Sequence, residues 1–169
     1  MIVFEKKLPQ KTLLNLSLNN PYYVDSHYFI VEDTNMSPLD VYCKMVSFAP
    51  KWSNSLLSIR NKVVRILGLE DVGEFGNFGD KNISDFTIGD RIDLFYIREM
   101  NEHEIVVGLN DKHLDVAISI SLKPEALQTV VCISTAIHVH NIFGKVYMGL
   151  VTPFHAPIIH SMIRNAYLN

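Results

Sequence analysis

Hydrophobic and polar residues alternate with a period of two along two segments, from His113 to Leu122 and from Thr129 to His140. Successive side chains of a strand point to opposite faces, so this pattern predicts two strands that each bury one face. The residues of the apolar faces are Leu114, Val116, Ile118, Ile120 and Leu122, then Val131, Ile133, Thr135, Ile137 and Val139. With shorter strands predicted from Ile92 to Arg98 and from Glu104 to Leu109, they form an antiparallel meander.

One strand and two helices are predicted ahead of the meander. The segment from Tyr22 to Val31 is rich in aromatic and β-branched residues, which is typical of a strand. Ser37 can cap a helix that has Pro38 at its first position. A second helix is predicted from Pro50 to Gly68, and the Gly- and Asp-rich stretch from Asp71 to Asp90 predicts a long loop.

The last segment, from Ile142 to about Leu168, has a helical period. Its predicted core-facing stripe consists of Phe143, Tyr147, Leu150, Phe154, Ile158 and Met162. Because Pro153 and Pro157 each remove a backbone hydrogen bond, we expect a kinked helix or two helices in series. The order of elements predicts one α+β domain over residues 1–169, with residues 1–20 as an N-terminal extension or an extra strand.

The composition is typical of a globular domain, with 48% hydrophobic residues, 20% charged residues and a net charge of -3. This charge argues against binding to nucleic acid, which needs a clustered basic face. The two cysteines, Cys43 and Cys132, form no CxxC motif and suit a reducing compartment. The chain begins without the apolar segment of a secretory signal, and its long uncharged segments contain prolines, histidines or strand-like alternation. We therefore expect a cytoplasmic protein without a membrane span.

Three stretches resemble motifs of the bacterial domain-of-unknown-function family 2867: APKWSNSLLSIRNKVVRILGL (49–69), GLNDKHLDVAISI (108–120) and HNIFGKVYMGLVTPFHAPII (140–159). The resemblance runs from about Tyr22 to the end, although Lys145 stands where arginine is expected. It implies the helix-grip fold of START-like, birch-pollen-allergen-like and other SRPBCC-like proteins. In that fold a curved antiparallel sheet wraps the last helix and leaves a cavity. The resemblance implies no established reaction.

The sequence IHVHN contains two histidines, His138 and His140, on one face of a predicted strand. If the preceding turn is centred between Lys123 and Ala126, Asp111 lies opposite His138. Asp111, His138 and His140 are then the candidate ligands of a metal ion, since imidazole and carboxylate groups hold zinc or iron. The alternative is a solvated polar face, and we expect no bound metal or other cofactor.

Eight residues are candidate contacts for a ligand: Trp52, Arg60, His113, Asp115, Asn141, Tyr147, Phe154 and His155. Each also has a structural interpretation. Trp52 suits a core, and Arg60 can pair with Asp115 or Asp111. Asn141 can cap the last helix.

The remaining histidines are interpreted separately. His155 lies between two prolines, where it can donate to a free carbonyl or point into the cavity as an acid, base or ligand. His27 and His160 are expected on the surface.

Three functions fit these observations. The first is a binding protein for a small apolar molecule, held between the sheet and the last helix by mainly apolar side chains. The second is an enzyme that uses its histidines for acid–base or metal chemistry. The third is an accessory domain with a filled core that binds a protein partner or a second copy of itself. Since no motif for catalysis is present, we favour the binding protein over the enzyme.

Overall fold

Seven strands form one antiparallel sheet in the part of the chain that this computed structural model describes, residues 1–14, 20–33, 35–55, 58, 78 and 81–168. The strands are β1 (Val3–Glu5), β2 (Tyr23–Val31), β3 (Arg91–Ile92), β4 (Phe95–Met100), β5 (Glu104–Asn110), β6 (Leu114–Pro124) and β7 (Thr129–Val139). Their order in the sheet is β1-β2-β7-β6-β5-β4-β3. The first long strand, β2, thus pairs with the last strand, β7, and β1, which lies within residues 1–20, forms the edge beside β2.

The helices begin where the capping residues predict. Helix α1 (Pro38–Ser47) starts with a capping box between Ser37 and Asp40. Residues 51–55 are helical and are termed α2. The long helix α3 (Ile142–Ile163) starts at Asn141, whose side chain accepts hydrogen bonds from the backbone of the first turn, and it continues into a π-helical turn (Arg164–Leu168). The α+β class, the short helices after the first long strand and the long C-terminal helix are confirmed.

The register between β6 and β7 differs from the predicted one. Lys123 and Pro124 are still paired within the sheet, and the turn is closed by Glu125 and Gln128, whose backbone N and O lie 2.8 Å apart. His138 consequently lies opposite Asp115, four residues beyond the predicted partner Asp111. An even shift leaves every side chain on its predicted face, so the faces are correct although the pairs are not.

One face of the sheet, termed the helix-covered face, packs against α1 and α3. Its larger apolar cluster joins sheet residues such as Phe29, Ile120 and Val131 to Val41 of α1 and Ile159 of α3. A smaller cluster of Leu114, Ile137 and Met148 packs the start of α3 against the other end of the same face. Burial of these side chains is the main stabilising contribution to the fold.

The opposite face, termed the outer face, is covered by the N-terminal segment. Leu14 packs with Val106, Ala117 and Ala136, all of which are fully buried. The carboxylate of Glu104 accepts hydrogen bonds from Thr12, from Ser119 and from the backbone N of Leu13. The expectation of a solvated polar face is therefore wrong over this part of the sheet, because small residues there leave room for the segment.

Helix α3 runs as one helix through Pro153 and Pro157. The residues that it buries are Gly144, Met148, Ile159, Met162 and Ile163. Of the predicted stripe, Met162 is buried and Tyr147 and Ile158 are partly buried, whereas Phe143, Leu150 and Phe154 are exposed. Apolar residues surround this helix almost completely, so periodicity cannot select its inner face. The exposed apolar residues are Ile142, Phe143, Val146, Leu150 and Phe154, which are 44–64% exposed.

By length and composition alone, the helical segment from Ile142 to Leu168 could cross a membrane. A helix that packs against a protein core passes the same test, so this property is weak evidence for a span.

Two glycines of α3 provide a test of this packing. A Cβ atom at Gly144 would overlap the carbonyl oxygen of His113 and lie 2.9 Å from Cγ1 of Val139, whereas a Cβ atom at Gly149 would have no atom within 4 Å. We expect Gly149→Ala to raise the free energy of unfolding by about 1 kcal/mol, because alanine favours a helix over glycine. Gly144→Ala should lower it by about 1–3 kcal/mol, because overpacking displaces the helix. Urea unfolding measures the free energy of unfolding of both variants. Equal stabilisation by the two substitutions would contradict the close approach of Gly144 to the backbone of His113.

Candidate functional site

A group of polar side chains lies in the helix-covered face between the two apolar clusters. Its members, termed the Asp25 centre, are Tyr23, Asp25 and His27 of β2, Thr135 of β7, and His155 and His160 of α3. The side chains of Asp25 and His27 are completely buried, and that of His155 is 19% exposed. A buried group of ionisable residues in an otherwise apolar layer needs an explanation beyond packing.

The sheet register brings the strand residues of the centre together. Asp25 lies opposite Thr135, and His27 lies opposite Ile133. Residues i and i+2 of a strand share a face, so Asp25 and His27 both point toward α3. On that helix, His155 lies two turns after the buried Met148 and one turn before the buried Ile159. Its side chain is thereby directed at the sheet.

One oxygen of Asp25 makes all of the recorded contacts of its carboxylate. The hydroxyl of Tyr23 donates to Oδ2 over 2.8 Å. Nε2 of His27 and Nε2 of His155 each lie 3.3 Å from the same Oδ2. His155 Nε2 is also 3.2 Å from Oγ1 of Thr135. The second oxygen, Oδ1, is buried and has no hydrogen-bond partner in the described part of the chain.

His27 has a different partner at each ring nitrogen. Its Nδ1 lies 3.0 Å from Nε2 of His160, whereas its Nε2 faces Asp25 without satisfying hydrogen-bond geometry. The ring of Phe4, from β1, covers this pair, with its centroid 5.1 Å from that of His27 and 6.4 Å from that of His160. The edge strand therefore screens one side of the centre from water.

The electrostatics of the centre favour an ionised Asp25. Burial raises the pKa of this carboxyl group, but the neighbouring imidazole of His155 and the hydroxyl of Tyr23 outweigh burial and hold its pKa below the usual range. The pKa of the Tyr23 hydroxyl is raised, first by burial and then by its hydrogen bond to the Asp25 carboxylate. Burial and the nearby His27 and Arg164 lower the pKa of His160.

The Asp25 centre is poorly explained as a stabilising device. Desolvation of buried charges is costly, and apolar side chains of similar volume often stabilise a core equally well or better. Ionisable groups with perturbed pKa values, gathered in one place, are more typical of functional sites.

The donor atoms of the centre suit a metal ion. Asp25, His27 and His155 each offer one ligand atom, and these three atoms all lie within 4.8 Å of one another. Two imidazoles and one carboxylate are a common ligand set for zinc and non-haem iron. Among the described residues, no other three His, Cys, Asp or Glu side chains come together in this way.

The candidate ligands from the IHVHN sequence lie elsewhere. Nε2 of His140 is 3.1 Å from Oδ2 of Asp115, and the rings of His138 and His140 are 5.1 Å apart. Asp111 remains in the turn before β6, where its carboxylate accepts a hydrogen bond from the backbone N of His113. The register shift thus puts Asp115, not Asp111, beside these histidines.

The other predicted site residues are dispersed. The capping role of Asn141 is confirmed, and its Oδ1 also lies 3.0 Å from Nδ1 of His113. Tyr147 packs beside the smaller apolar cluster, whereas Trp52 and Phe154 are 42% and 44% exposed. Arg60 lies outside the described residues. Of the eight predicted ligand contacts, His155 alone is a member of the Asp25 centre.

A cavity between the sheet and α3 is not shown. A depression of the described surface lies beside the start of α1 and is lined by Ser37, Leu39, Asp40, Lys81, Asn82, Ile83 and Ser84. None of these residues is among the eight predicted ligand contacts.

A family model described as "Protein of unknown function (DUF2867)" matches residues 17–162. The chain belongs to the DUF2867 family. All six residues of the Asp25 centre fall within the DUF2867 match, whereas β1 and its Phe4 lie before it. No curated protein matches the chain. A solved structure, CalU16 from Micromonospora echinospora, is similar with 10% identity and a TM-score of 0.36, over 85% of this chain and 75% of that one.

Sequence reasoning missed most of this centre. The interpretation of His27 as a surface residue is wrong, since it is completely buried, and His160 is only partly exposed. One signal was available, because Thr135 interrupts an aliphatic row on β7 and the strand paired with it carries Asp25 and His27 two residues apart. Polar residues on the buried faces of paired strands indicate a site.

The depressed pKa of Asp25 predicts how stability depends on pH. In the presence of a chelator, Asp25→Asn should lower the free energy of unfolding by about 3 kcal/mol at pH 7, because buried donors lose their anion. The unfolded chain takes up a proton at Asp25 near pH 4, before the folded chain does. The difference in the free energy of unfolding between wild type and Asp25→Asn should therefore become smaller as the pH falls from 6 toward 3.

The matched control for this test is Asp115→Asn, which removes the carboxylate from a partly exposed His–Asp pair and should cost less than about 1 kcal/mol. Urea unfolding at several pH values measures all three proteins. If the difference in the free energy of unfolding between wild type and Asp25→Asn does not change with pH, the pKa of Asp25 is not depressed in the folded protein.

Proposed function

We propose that this domain binds one divalent transition-metal ion, Zn²⁺ or Fe²⁺, through Asp25, His27 and His155. The observation that carries the proposal is the meeting of these three donor groups in a buried site. Two of their polar atoms, Oδ1 of Asp25 and Nε2 of His27, are buried and have no hydrogen-bond partner among the described residues. Such atoms cost free energy unless something else binds them, and a metal ion would do so.

The distances within the centre support coordination. Two ligand atoms that each lie about 2.1 Å from a tetrahedral zinc ion are about 3.4 Å apart. In the structure, Oδ2 of Asp25 is 3.3 Å from Nε2 of His27 and 3.3 Å from Nε2 of His155. Two of the three separations thus match those around an ion, and the third, between the ligand atoms of His27 and His155, is within 4.8 Å.

The chemistry of the donors selects the class of metal. Calcium and magnesium prefer sites built wholly from oxygen atoms, whereas imidazole nitrogen favours zinc, iron, copper and nickel. Neither Cys43 nor Cys132 belongs to the ligand group. The ionised Asp25 supplies one negative charge that offsets part of the charge of a divalent ion in a buried place.

Three protein ligands leave at least one coordination position for water or for a substrate. His155 is the partly exposed member of the set, so that position would be reached along α3. A metal ion in such a site can polarise a bound carbonyl group or activate a water molecule. This places the proposal in the class of histidine-based enzymes, the second of the functions that the sequence allows.

Binding of a small apolar molecule in a domain of the helix-grip type is our second proposal. It is supported by partly buried hydrophobic side chains in and beside the centre: Tyr23, Val116, Val139 and Tyr147. They would contact the apolar part of a molecule whose polar group reaches the ion. Native mass spectrometry of the purified protein separates the two proposals, because it resolves the added mass of an ion from that of an organic ligand.

The test of metal binding compares wild type with Asp25→Asn and His155→Gln after removal of bound metal. We expect the wild-type protein to take up one Zn²⁺ per chain in native mass spectra. We expect each variant to lose more affinity than the roughly 10–100-fold that loss of an outer-sphere partner costs. Competition with a chromophoric chelator measures these affinities.

The matched control is His140→Gln, which removes a histidine that pairs with Asp115 away from the centre. Its affinity for Zn²⁺ should equal that of the wild type. The proposal is wrong if wild type binds no ion at micromolar concentrations, or if His140→Gln loses as much affinity as the two centre variants do. Circular dichroism of every variant establishes that the fold is intact.

A further inference from the structure

We propose that His160 is a positioning residue of the metal centre: it accepts the Nδ1–H of His27 and so holds the Nε2 lone pair of His27 toward the ion. This inference rests on the proposed metal function. It concerns a residue that is not a member of the ligand group, since the three gathered donors are Asp25, His27 and His155.

The tautomer of His27 is the first step of the argument. A neutral imidazole has one protonated nitrogen and one free lone pair, and a nitrogen that binds a metal must be unprotonated. Nε2 of His27 faces Asp25, so metal binding requires the proton to reside on Nδ1. A protonated Nδ1 in a fully buried ring needs an acceptor, and Nε2 of His160 lies 3.0 Å away.

The geometry of helix and strand explains why His160 fits this role. Two residues along a strand span about 6.6 Å, and five residues along a helix span about 7.5 Å. Asp25 and His27 are therefore spaced on β2 nearly as His155 and His160 are spaced on α3. His155 contacts Asp25, and His160 contacts His27. The rise along α3 between the two histidines thus nearly equals the distance along β2 between their two partners.

Phe4 strengthens the contact between the two histidines. Its ring is tilted against His27 and stands edge-on to His160, with centroid distances of 5.1 and 6.4 Å. An aromatic ring in this position excludes water that would otherwise compete for Nδ1 of His27. The hydrogen bond between the histidines is consequently stronger than it would be at the surface.

The experiment compares His160→Gln with His160→Leu, using Co²⁺ as the probe ion. Glutamine offers an amide oxygen that can accept the Nδ1–H of His27, whereas leucine fills space without an acceptor. We expect His160→Leu to lower the affinity for Co²⁺ by roughly 10–100-fold and to change the visible absorption bands of the bound ion. His160→Gln should restore most of the affinity and the wild-type bands.

A second measurement needs no metal. Nitrogen-15 NMR of the metal-free protein should show His27 protonated at Nδ1 in wild type and in His160→Gln. In His160→Leu, His27 should shift toward the Nε2-protonated form, because Asp25 is then the remaining acceptor.

The possible results separate this role from the metal function. If wild type takes up no Co²⁺, the proposed metal function is wrong, while the NMR comparison still tests the contact between His160 and His27. If wild type and His160→Leu bind Co²⁺ equally well with identical bands and tautomers, His160 does not position His27. Equal losses in the glutamine and leucine variants would indicate a packing role and would likewise overturn the proposal.

Discussion

The buried carboxylate of Asp25 is the constraint around which this end of the fold is arranged. An anion without water must receive hydrogen bonds from the protein: Tyr23 on its own strand donates one over 2.8 Å, and Nε2 of His155 on α3 lies 3.3 Å from the same oxygen. Because these groups belong to separate elements, the strand and the helix can occupy few relative positions. Because α3 is apolar on nearly every side, apolar packing alone does not select which side faces the sheet. The contact between His155 and Asp25 selects it.

The pairing of the first long strand with the last one makes the arrangement possible. β2 lies between β1 and β7, so residues near both ends of the sequence become neighbours. The side chain of Asn141 fixes where α3 begins, directly after β7. From that start, fourteen residues bring the helix to His155, opposite Asp25 and Thr135. A small change in where the helix starts would rotate His155 away from the sheet, since each residue turns the helix by about 100°.

The sequence predicted those elements whose pattern is unambiguous. β6 and β7 alternate between aliphatic and small polar residues, and Ser37 and Asn141 are strong capping residues, so strand faces and helix starts were correct. The predicted register between β6 and β7 was wrong because the sequence offers two positions for the turn, Lys123–Ala126 and Glu125–Gln128, and the structure uses the second one. The Asp25 centre was mostly missed because β2 carries both polar and apolar residues on each of its faces. Its periodicity therefore does not show that Asp25 and His27 point inward.

The edge strand β1 consists of three residues, and it carries Phe4 over the two histidines. A short edge strand opens at a much smaller cost in free energy than global unfolding requires. Exchange of an ion at the centre would thus follow the local opening of β1, while the core of the sheet stays folded. The residence time of the ion and the lifetime of the fold would then be set by different parts of the same molecule.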